Sequence, residues 1–497
     1  MQRKQLTLVI VSLLVVVLSV SLAYFTTQII GKGKDVSVTS TNLQIVFTDT
    51  DGEIAGADIE PGWQKTKTFT VQNNSKSEYK YNIVIKDLLN TFVTEGYLQY
   101  KITSTNGGYN MTEFKDIPKS SIATDTILAY SVVIPNGVTQ SYTIEFKYSN
   151  DESVDQSDDM GKKLSGTLFI TEGTEDPNKT LYNQLLVDKS TKLTRTDFGK
   201  VLTNDNTNTL YTSTEDSKTV YYFAGNATDN WVKFGKNASN QDLYWRIIRT
   251  NSDGGVRLLY HGTSTTATDA YIGTSAFNSS YNNIAYVSYM YGSTGSIPNA
   301  RTNQTNSSTI KGVIDTWYAK NMTSYTKYLS TTAVYCNDRT YTVSDSTYFG
   351  AYTRLADNKT PSYDCSATED KFTVDTSTGN GKLTYPIALM TADEVSFAGG
   401  LAGTNAPTWY NYNSANGSST GSTQWWLLSP SYWSSSYACV FSVYGSSHPG
   451  FLVVDFVYDT HGVRPAVSLK SCIKYSTGNG SASDPYTIKE TTSTSGC

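Results

Sequence analysis

The chain has few of the side chains that most metal sites and catalysts use. Three histidines and five cysteines occur in 497 residues, and no two cysteines form a Cys-x-x-Cys pair. The histidines, His261, His448 and His461, also lack ligand spacing with the cysteines or with one another. We therefore expect no metal ion and no cofactor.

Charge is scarce too. Charged residues make up 17% of the chain and the net charge is −5, which gives no broad basic field for nucleic-acid phosphates. Tyrosine and glycine are abundant, with 37 and 36 residues, and this balance favours β structure with many turns and little helix. A chain of 497 residues exceeds what one hydrophobic core normally serves. We expect at least two domains and no nucleic-acid partner.

One long uncharged run, residues 6–25, follows Arg3 and Lys4 at the N-terminus. About 20 apolar residues suffice for a helix to cross a bilayer. The preceding positive charges leave the rest of the chain outside the cytoplasm. Segment 1–31 is therefore either a membrane-spanning anchor or a signal peptide cleaved near residues 21–25. In both cases we expect an extracytoplasmic protein, anchored at the cell surface or secreted.

Residues 35–172 are expected to form an all-β sandwich. Apolar side chains alternate along several short runs, which is the period of half-buried strands. Pro135, Asn136 and Gly137 mark a tight turn between two such runs. The alternating residues are Leu43, Ile45 and Phe47; Tyr81, Ile83 and Ile85; Leu98, Tyr100 and Ile102; and Tyr142, Ile144 and Phe146.

The hydrophobic leader, residues 59–62 and the run DQSDDMGKKLSGTLFI at 155–170 resemble the camelysin and biofilm-matrix-fibre group of exported β-sandwich proteins. The resemblance implies a stalk or assembly module. Within the run, Asp155, Asp158 and Asp159 suggest either a calcium site or a solvated acidic turn. No EF-hand spacing accompanies them, so we expect the solvated turn.

A linker is expected at 173–200, with a short helix at 180–187, and a second domain at 201–472. Residues 243–249 and 256–260 predict a hairpin around Asp253-Gly254-Gly255. One helix is predicted at 310–329. A second, short helix is predicted after Thr391, which forms a capping-box pattern with Glu394, and it should end near Gly399. Residues 473–497 are expected to be a C-terminal tail.

Residues 434–469 have an unusual composition. They contain no Lys, Glu, Gln, Met or Trp, although at average usage a stretch of that length holds about five of them. Randomising the adenines of AAY asparagine codons gives NNY codons, which never encode those five residues. The gap is therefore either chance or the product of adenine-directed mutagenesis.

Trp425-Trp426-Leu427-Leu428-Ser429-Pro430 precedes this patch, and residues 462–467, GVRPAV, close it. Frame and patch together resemble the variable proteins of diversity-generating retroelements, which carry a C-type-lectin-like domain of the formylglycine-generating-enzyme type. The resemblance extends over about 221–472 and includes the LYWR run at 243–246. It implies an α+β C-type-lectin-like domain after the N-terminal helix and the all-β sandwich, with a variable patch at 431–462. Two core strands joined by a Ser/Tyr-rich loop of fixed sequence remain the alternative.

Residues 425–469 divide into a frame, expected in the core, and residues expected to be presented to a ligand. Residues expected in the core are Trp425, Trp426, Leu427, Leu428, Val463, Pro465, Val467 and Leu469, with Arg464 in an ion pair. Each residue expected to bind ligand is encodable by NNY: Ser434, Ser436, Cys439, Ser442, Tyr444, Ser446, Ser447, His448, Phe451, Val453, Val454, Asp455, Phe456, Tyr458, Asp459 and His461. Ala438, Val440, Phe441, Gly450, Leu452 and Val457 fit either group.

Tyrosine gives rigid amphipathic contact area, and Ser or Gly gives adaptable hydrogen bonding, as in antibody loops. We expect Tyr444, Phe451, Phe456 and Tyr458 to be the energetic anchors. The predicted function is a cell-surface ligand-binding protein, receptor- or adhesin-like. We expect its partner to be a macromolecule, a protein at a cell or phage surface. The alternative is a surface or extracellular-matrix fibre component with a fixed lectin-like domain.

In an exported chain we expect disulfides between Cys336 and Cys365 and between Cys472 and Cys497, leaving Cys439 over. We expect no enzyme. Ser447, His448 and Asp455 allow a forced Ser-His-Asp set, but no G-x-S-x-G motif accompanies them. Formylglycine-generating enzymes use paired active-site cysteines, whereas Cys439 stands alone. The Glu-Pro-Asn and Gln-Pro-Asp triplets of calcium-dependent lectins are also absent from the patch.

Overall fold

The computed structural model describes residues 36–40, 43–49, 54–55, 59–174, 176–177, 179–267, 270–342, 347–406, 424–445, 448 and 450–491. The chain divides into two compact units, Met1–Pro177 and Asn178–Cys497. Both consist mostly of β-sheet with few helices. The predicted N-terminal helix at 1–31 lies outside the described residues, and no helix within them is long and apolar enough to span a membrane.

The first unit contains two antiparallel sheets. Their strands are β1 (Val36–Ser40), β2 (Leu43–Asp49), β3 (Ile54–Ala55), β4 (Gln64–Asn73), β5 (Tyr79–Asn90), β6 (Leu98–Ser104), β7 (Lys115–Asp116), β8 (Ser120–Ile134), β9 (Thr139–Tyr148) and β10 (Leu164–Glu172). One sheet has the order β1-β2-β4-β9-β6-β7 and the other β3-β10-β5-β8.

Alternating apolar residues from both sheets form one core, as the sequence predicts for a sandwich. Ile102 and Ile144 are paired across β6 and β9, and both pack in the same cluster as Ile83 of β5. Gly137 has a φ of +71° in the turn between β8 and β9, a conformation that glycine adopts without strain. The predicted buried positions of β5, β6 and β9 and this turn are confirmed. Strand β2 is present where it was predicted, and the burial of Leu43, Ile45 and Phe47 lies outside what the structure describes.

The acidic segment at 155–159 is not a solvated turn throughout. Asp159 is buried and accepts hydrogen bonds from the backbone N–H groups of Val93 (2.6 Å) and Thr94 (3.2 Å) and from the Tyr148 hydroxyl (2.8 Å). Burial alone would raise the pKa of Asp159, but these hydrogen bonds lower it. Asp159 therefore anchors the loop after β5, while Asp155 and Asp158 are exposed.

The second unit has longer connections and several short helices. The helices are α1 (Leu181–Asp188), α2 (Ile297–Arg301), α3 (Thr309–Asn321), α4 (Gly350–Tyr352) and α5 (Ala392–Ala398). Its strands are β11 (Thr191–Thr194), β12 (Asp205–Asn206), β13 (Thr209–Glu215), β14 (Lys218–Tyr222), β15 (Asn226–Ala227), β16 (Trp231–Lys236), β17 (Asp242–Thr250), β18 (Val256–Tyr260), β19 (Thr274–Ala276), β20 (Met290–Tyr291), β21 (Asn306–Ser307), β22 (Tyr335–Cys336), β23 (Tyr341–Thr342), β24 (Thr347–Phe349), β25 (Lys371–Phe372), β26 (Ile387–Leu389), β27 (Trp425–Ser434), β28 (Tyr437–Val443), β29 (Leu452–Phe456), β30 (Thr460–Gly462), β31 (Pro465–Leu469), β32 (Tyr475–Thr477) and β33 (Tyr486–Ile488).

A large sheet joins the beginning of the second unit to its end. The predicted hairpin is β17 and β18, and β18 pairs in antiparallel fashion with β31, with Val256 opposite Leu469. Strand β17 is buried along most of its length, so it lies in the middle of the core rather than at a solvated face. The hairpin from the start of the unit therefore fixes the strand that follows the patch.

The predicted helices are present with shifted bounds. Thr391 and Glu394 form the capping box of α5, which ends at Gly399 with a φ of +124°. The helix predicted at 310–329 ends as α3 at Asn321 and continues as the 3-10 turn Thr323–Tyr328. In that turn Tyr328 is buried, and its hydroxyl oxygen accepts a hydrogen bond from the Thr491 N–H.

The expected linker and tail belong to the second unit. Strand β11 pairs with β13, and β33 pairs with β16 and β32. Segments 178–200 and 473–491 thus contain strands that pair with distant parts of the chain. Their short polar sequences do not predict this pairing. Cys336 and Cys365 form the predicted disulfide, with 5.8 Å between their Cα atoms. The predicted Cys472–Cys497 bridge involves Cys497, which lies outside the described residues.

Candidate functional site

Four aromatic side chains form an exposed cluster, which we call the aromatic patch: Tyr281, Tyr437, Phe456 and Tyr458. Each is 39–41% exposed, although aromatic rings of this size are normally better covered. Ring centroids lie 4.8 Å apart for Tyr281 and Tyr458 and 5.6 Å apart for Tyr281 and Tyr437. The Tyr437 and Phe456 centroids are 5.2 Å apart. The rings therefore form one continuous surface.

Backbone hydrogen bonds hold three chain segments together beneath this patch. The Val457 N–H donates to Ala438 O (3.1 Å), and the Ala438 N–H donates to Tyr281 O (2.9 Å). Val457 and Ala438 are buried, whereas Phe456, Tyr458 and Tyr437 beside them are exposed. The Asp459 N–H donates a hydrogen bond to Phe456 O at 2.9 Å and closes a turn. This turn presents Phe456 and Tyr458 on either side of Val457.

A second, smaller group lies in the loop between β28 and β29. The ring of His448 is 5.2 Å from that of Tyr444 and 5.5 Å from that of Phe451. The Tyr444 N–H donates to Phe451 O at 2.7 Å. The four predicted anchors are thus divided between two groups: Tyr444 and Phe451 here, Phe456 and Tyr458 in the aromatic patch. Ser446 and Ser447 lie outside the described residues.

Three predicted ligand-binding residues are buried. Cys439 and Ser442 are 2% and 0% exposed and His461 is 9% exposed. The prediction that they are presented is wrong. Cys439 and Ser442 belong to β28, which lies between β27 and β29 and is covered along nearly its whole length. His461 belongs to β30, where its ring packs against Trp426. Burial, and then the nearby charges of Asp455 and Asp459, raise the pKa of the free Cys439 thiol to about 12. Such a thiol is a poor nucleophile.

The other predicted positions border the aromatic patch. Ser436 is exposed, while Ser434, Val453, Val454, Asp455 and Asp459 are half-buried. The Ser434 hydroxyl oxygen accepts the Tyr437 N–H at 3.0 Å in the turn between β27 and β28. Ala438, Val440, Phe441, Gly450, Leu452 and Val457 are all buried and belong to the frame.

Two residues of the aromatic patch escaped the sequence reasoning. Tyr437 lies inside the unusual stretch and is encodable by an NNY codon, so the criterion used for its neighbours could have identified it. Tyr281 comes from a distant loop, and no local pattern marks it.

The frame residues at the two ends of the unusual stretch are buried as predicted. They are Trp425, Trp426, Leu427, Leu428, Val463, Pro465, Val467 and Leu469. Gly462 must be glycine, because a Cβ there would lie 2.5 Å from the Tyr271 ring. Arg464 is fully buried. Its Nε donates to Tyr260 O at 3.0 Å, and its guanidinium lies 5.1 Å from the Trp425 ring centroid.

Buried charged residues form a network beneath the frame. Glu394 Oε1 accepts hydrogen bonds from Arg249 Nε (2.9 Å) and Arg257 Nη1 (2.7 Å). Arg249 Nη2 also pairs with Glu215 Oε1 at 2.8 Å. The charges come from α5, β13 and the hairpin, so they tie together distant parts of the unit. They are matched and buried, which is typical of a structural network rather than of a reactive centre.

The described members of the forced Ser-His-Asp set, Asp455 and His448, make separate contacts. Asp455 lies against Ser442 and His461, and His448 lies against Tyr444 and Phe451. These contacts place two members of the forced Ser-His-Asp set in different groups, and the third, Ser447, is outside the described residues. Exposed aromatic rings beside hydroxyl and carboxylate groups suit recognition of a partner.

No family model and no curated protein matches the chain. One solved structure, described as "AvmM Catalyzes Macrocyclization in Alchivemycin A Biosynthesis", aligns with 29% of this chain and 98% of its own, at 11% identity and a TM-score of 0.16. That likeness carries no argument about fold or function.

Proposed function

We propose that this protein is an extracytoplasmic, receptor- or adhesin-like ligand-binding protein. Its second unit would be a C-type-lectin-like domain of the kind used by variable proteins of diversity-generating retroelements. The first unit would serve as the stalk, and the N-terminal leader as the anchor or export signal. The partner would be a macromolecule, a protein at a cell or phage surface, and no chemical step is required.

The observation that carries the proposal is the aromatic patch. Four large rings, each 39–41% exposed, meet over one small area. Tyrosine and phenylalanine rings bury much area at low entropic cost, which is why they dominate binding hot spots. A continuous exposed aromatic surface commonly marks an interaction site.

The arrangement of frame and tip supports variability. Phe456 and Tyr458 project from a turn whose intervening residue, Val457, is buried, and Ser436 and Tyr437 occupy the neighbouring turn. Replacing exposed tip residues removes little packing, whereas the frame behind them is fully buried. Tyr437, Phe456 and Tyr458 are also encodable by NNY codons, so adenine-directed mutagenesis could produce this surface. Affinity would come from aromatic area buried in a preorganised site.

The experiment is a pair of libraries of the full chain, displayed on the bacterial surface. The first carries NNY codons at Ser436, Tyr444, Phe456 and Tyr458. The matched control carries them at the buried positions Ala438, Val440, Leu452 and Val457. Protease resistance reports folding, and selection against several unrelated purified proteins reports binding.

We expect most members of the first library to resist protease and to yield specific binders. Truncating one anchor of a selected binder to alanine should weaken binding roughly 30-fold, equivalent to about 2 kcal/mol. Most members of the control library should be cleaved. Equal cleavage of both libraries, or a folded first library without binders, contradicts the proposal.

One observation favours a second candidate, a fibre component. Among the described strands β8 is one of the two edge strands of its sheet, and it runs for 15 residues. Its Ile122 is 72% exposed. Long edge strands can pair with another chain. Ordered polymers formed by the purified protein without a partner would favour this candidate.

A further inference from the structure

Asp455, Asp459 and His461 bring three potential metal ligands together beside the aromatic patch. Among the described residues, one ligand atom from each lies within 4.8 Å of the others. Asp455 is in β29, Asp459 in the following turn and His461 in β30. Cysteine and histidine spacing does not reveal this cluster, because two of its three potential ligands are the carboxylates that flank Phe456 and Tyr458.

His461 is the residue that points to a ligand. It is 9% exposed, and its buried Nε2 atom has no hydrogen-bond partner. Asp455 Oδ2 is 3.2 Å from this nitrogen but out of hydrogen-bonding alignment. Buried polar atoms nearly always have a hydrogen bond, so a buried nitrogen that lacks one while lying beside a carboxylate calls for an explanation.

Neighbouring contacts fix the orientation of these ligands. The His461 ring lies against Trp426, with centroids 4.5 Å apart, and the Trp426 indole N–H donates to Ser275 O at 2.8 Å. The Ser442 hydroxyl donates to Asp455 Oδ2 at 2.7 Å. Residues that orient ligands in this way are a regular part of metal sites. They also explain why Ser442 is buried within a patch of presented residues.

The local charge favours a cation. The carboxylates of Asp455 and Asp459 bring one oxygen each within 4.8 Å of the other, and both side chains are half-buried. Two carboxylates that repel each other at a partly buried site would be stabilised by a bound positive ion.

We propose that Asp455, Asp459 and His461 bind one divalent transition-metal ion of the zinc class. Zinc accepts imidazole nitrogen and carboxylate oxygen at about 2.0–2.2 Å, which places tetrahedral ligand atoms about 3.4 Å apart. The separation of His461 Nε2 and Asp455 Oδ2, 3.2 Å, already fits. Asp459, on a turn, completes the set by a side-chain rotation. Calcium is a poorer fit because it prefers oxygen ligands alone.

Three protein ligands leave zinc an open coordination position. Because the ligands flank Phe456 and Tyr458, a carboxylate of the partner could bind the metal while its apolar part contacts the rings. This use of the open position rests on the proposed function. The metal site itself does not, so the two ideas can fail separately.

The test uses the full chain, treated with EDTA, dialysed and titrated with zinc chloride by calorimetry. We expect about one equivalent to bind. Asp459→Asn and His461→Ala should each weaken zinc binding about tenfold or more, and His448→Ala, which alters an exposed histidine in the other group, should leave it unchanged. Asp459 is half-buried on a turn, so its variant should fold even if His461→Ala does not.

Cobalt(II) gives an independent reading. The wild-type protein should develop the visible absorption of tetrahedrally ligated cobalt, and Asp459→Asn should not. Absence of stoichiometric zinc binding to the wild-type protein, or undiminished zinc binding to Asp459→Asn, overturns the proposal.

Discussion

Glu394 should be among the most sensitive positions of the second unit. The residue is 1% exposed, and one of its carboxylate oxygens accepts hydrogen bonds from both Arg249 and Arg257. The other oxygen accepts the Thr391 N–H at 3.0 Å and caps α5. Substitution with glutamine keeps the size of the side chain but leaves two buried guanidiniums with only Glu215 as a counter-charge.

The shift in the pKa of Glu394 gives the size of the free energy that its carboxylate contributes to folding. Burial alone would raise this pKa, but the Arg257 and Arg249 guanidiniums lower it from 4.5 to about 2. That difference corresponds to about 3 kcal/mol of stabilisation at neutral pH. Because the folded pKa lies below the unfolded one, the contribution is complete above about pH 4.5 and is lost as the pH falls to about 2.

Urea unfolding of Glu394→Gln, followed by tryptophan fluorescence, tests this reasoning. All tryptophans except Trp63 lie in the second unit, so the signal reports that unit. We expect a loss of about 3–5 kcal/mol at neutral pH and a flatter stability profile between about pH 4.5 and pH 2. The control Asp357→Asn, at an exposed site, should stay within about 0.5 kcal/mol. A loss below about 1 kcal/mol, or an unchanged pH profile, would refute the reasoning.

Two further predictions concern single stabilising features. Asp159→Ala should destabilise the first unit by about 2–3 kcal/mol because it leaves two backbone N–H groups and the Tyr148 hydroxyl unpaired; Asp155→Ala, at an exposed site, is the control, and equal urea midpoints for the two variants would count against it. The double variant Cys336→Ala/Cys365→Ala should lose about 3–4 kcal/mol because the bridge closes a loop with a sequence separation of 29, and an unchanged urea midpoint would show that the bridge contributes nothing.

The fold elements that could be predicted are those whose signal is local. Alternation predicted the strands of the sandwich, and Thr391 with Glu394 predicted the start of α5. The short strands β11, β32 and β33 could not be predicted, because their polar sequences are strands only by pairing with distant partners. The role of Glu394 as the counter-charge of Arg249 and Arg257 is likewise a matter of tertiary contact.

The candidate site was predictable to a similar extent. Composition drew attention to the stretch that contains Phe456 and Tyr458, and both are exposed. Burial of Cys439 and Ser442 depends on β28 lying between two other strands, which composition does not encode. Tyr281 joins the patch through a hydrogen bond from Ala438 to its carbonyl oxygen. The cluster of Asp455, Asp459 and His461 arises because a turn returns the chain to its own sheet.

The most direct test of a variable combining site is DNA sequencing of this locus and its flanks across many cells of one lineage. The proposal predicts NNY codons that vary at exposed positions such as Ser436, Tyr437, Phe456 and Tyr458, and a nearby near-copy with AAY at the same places. Codons for the frame residues Ala438, Val440 and Val457 should be constant. Invariant codons throughout, with no such near-copy, would contradict the proposal and favour a surface protein of fixed specificity.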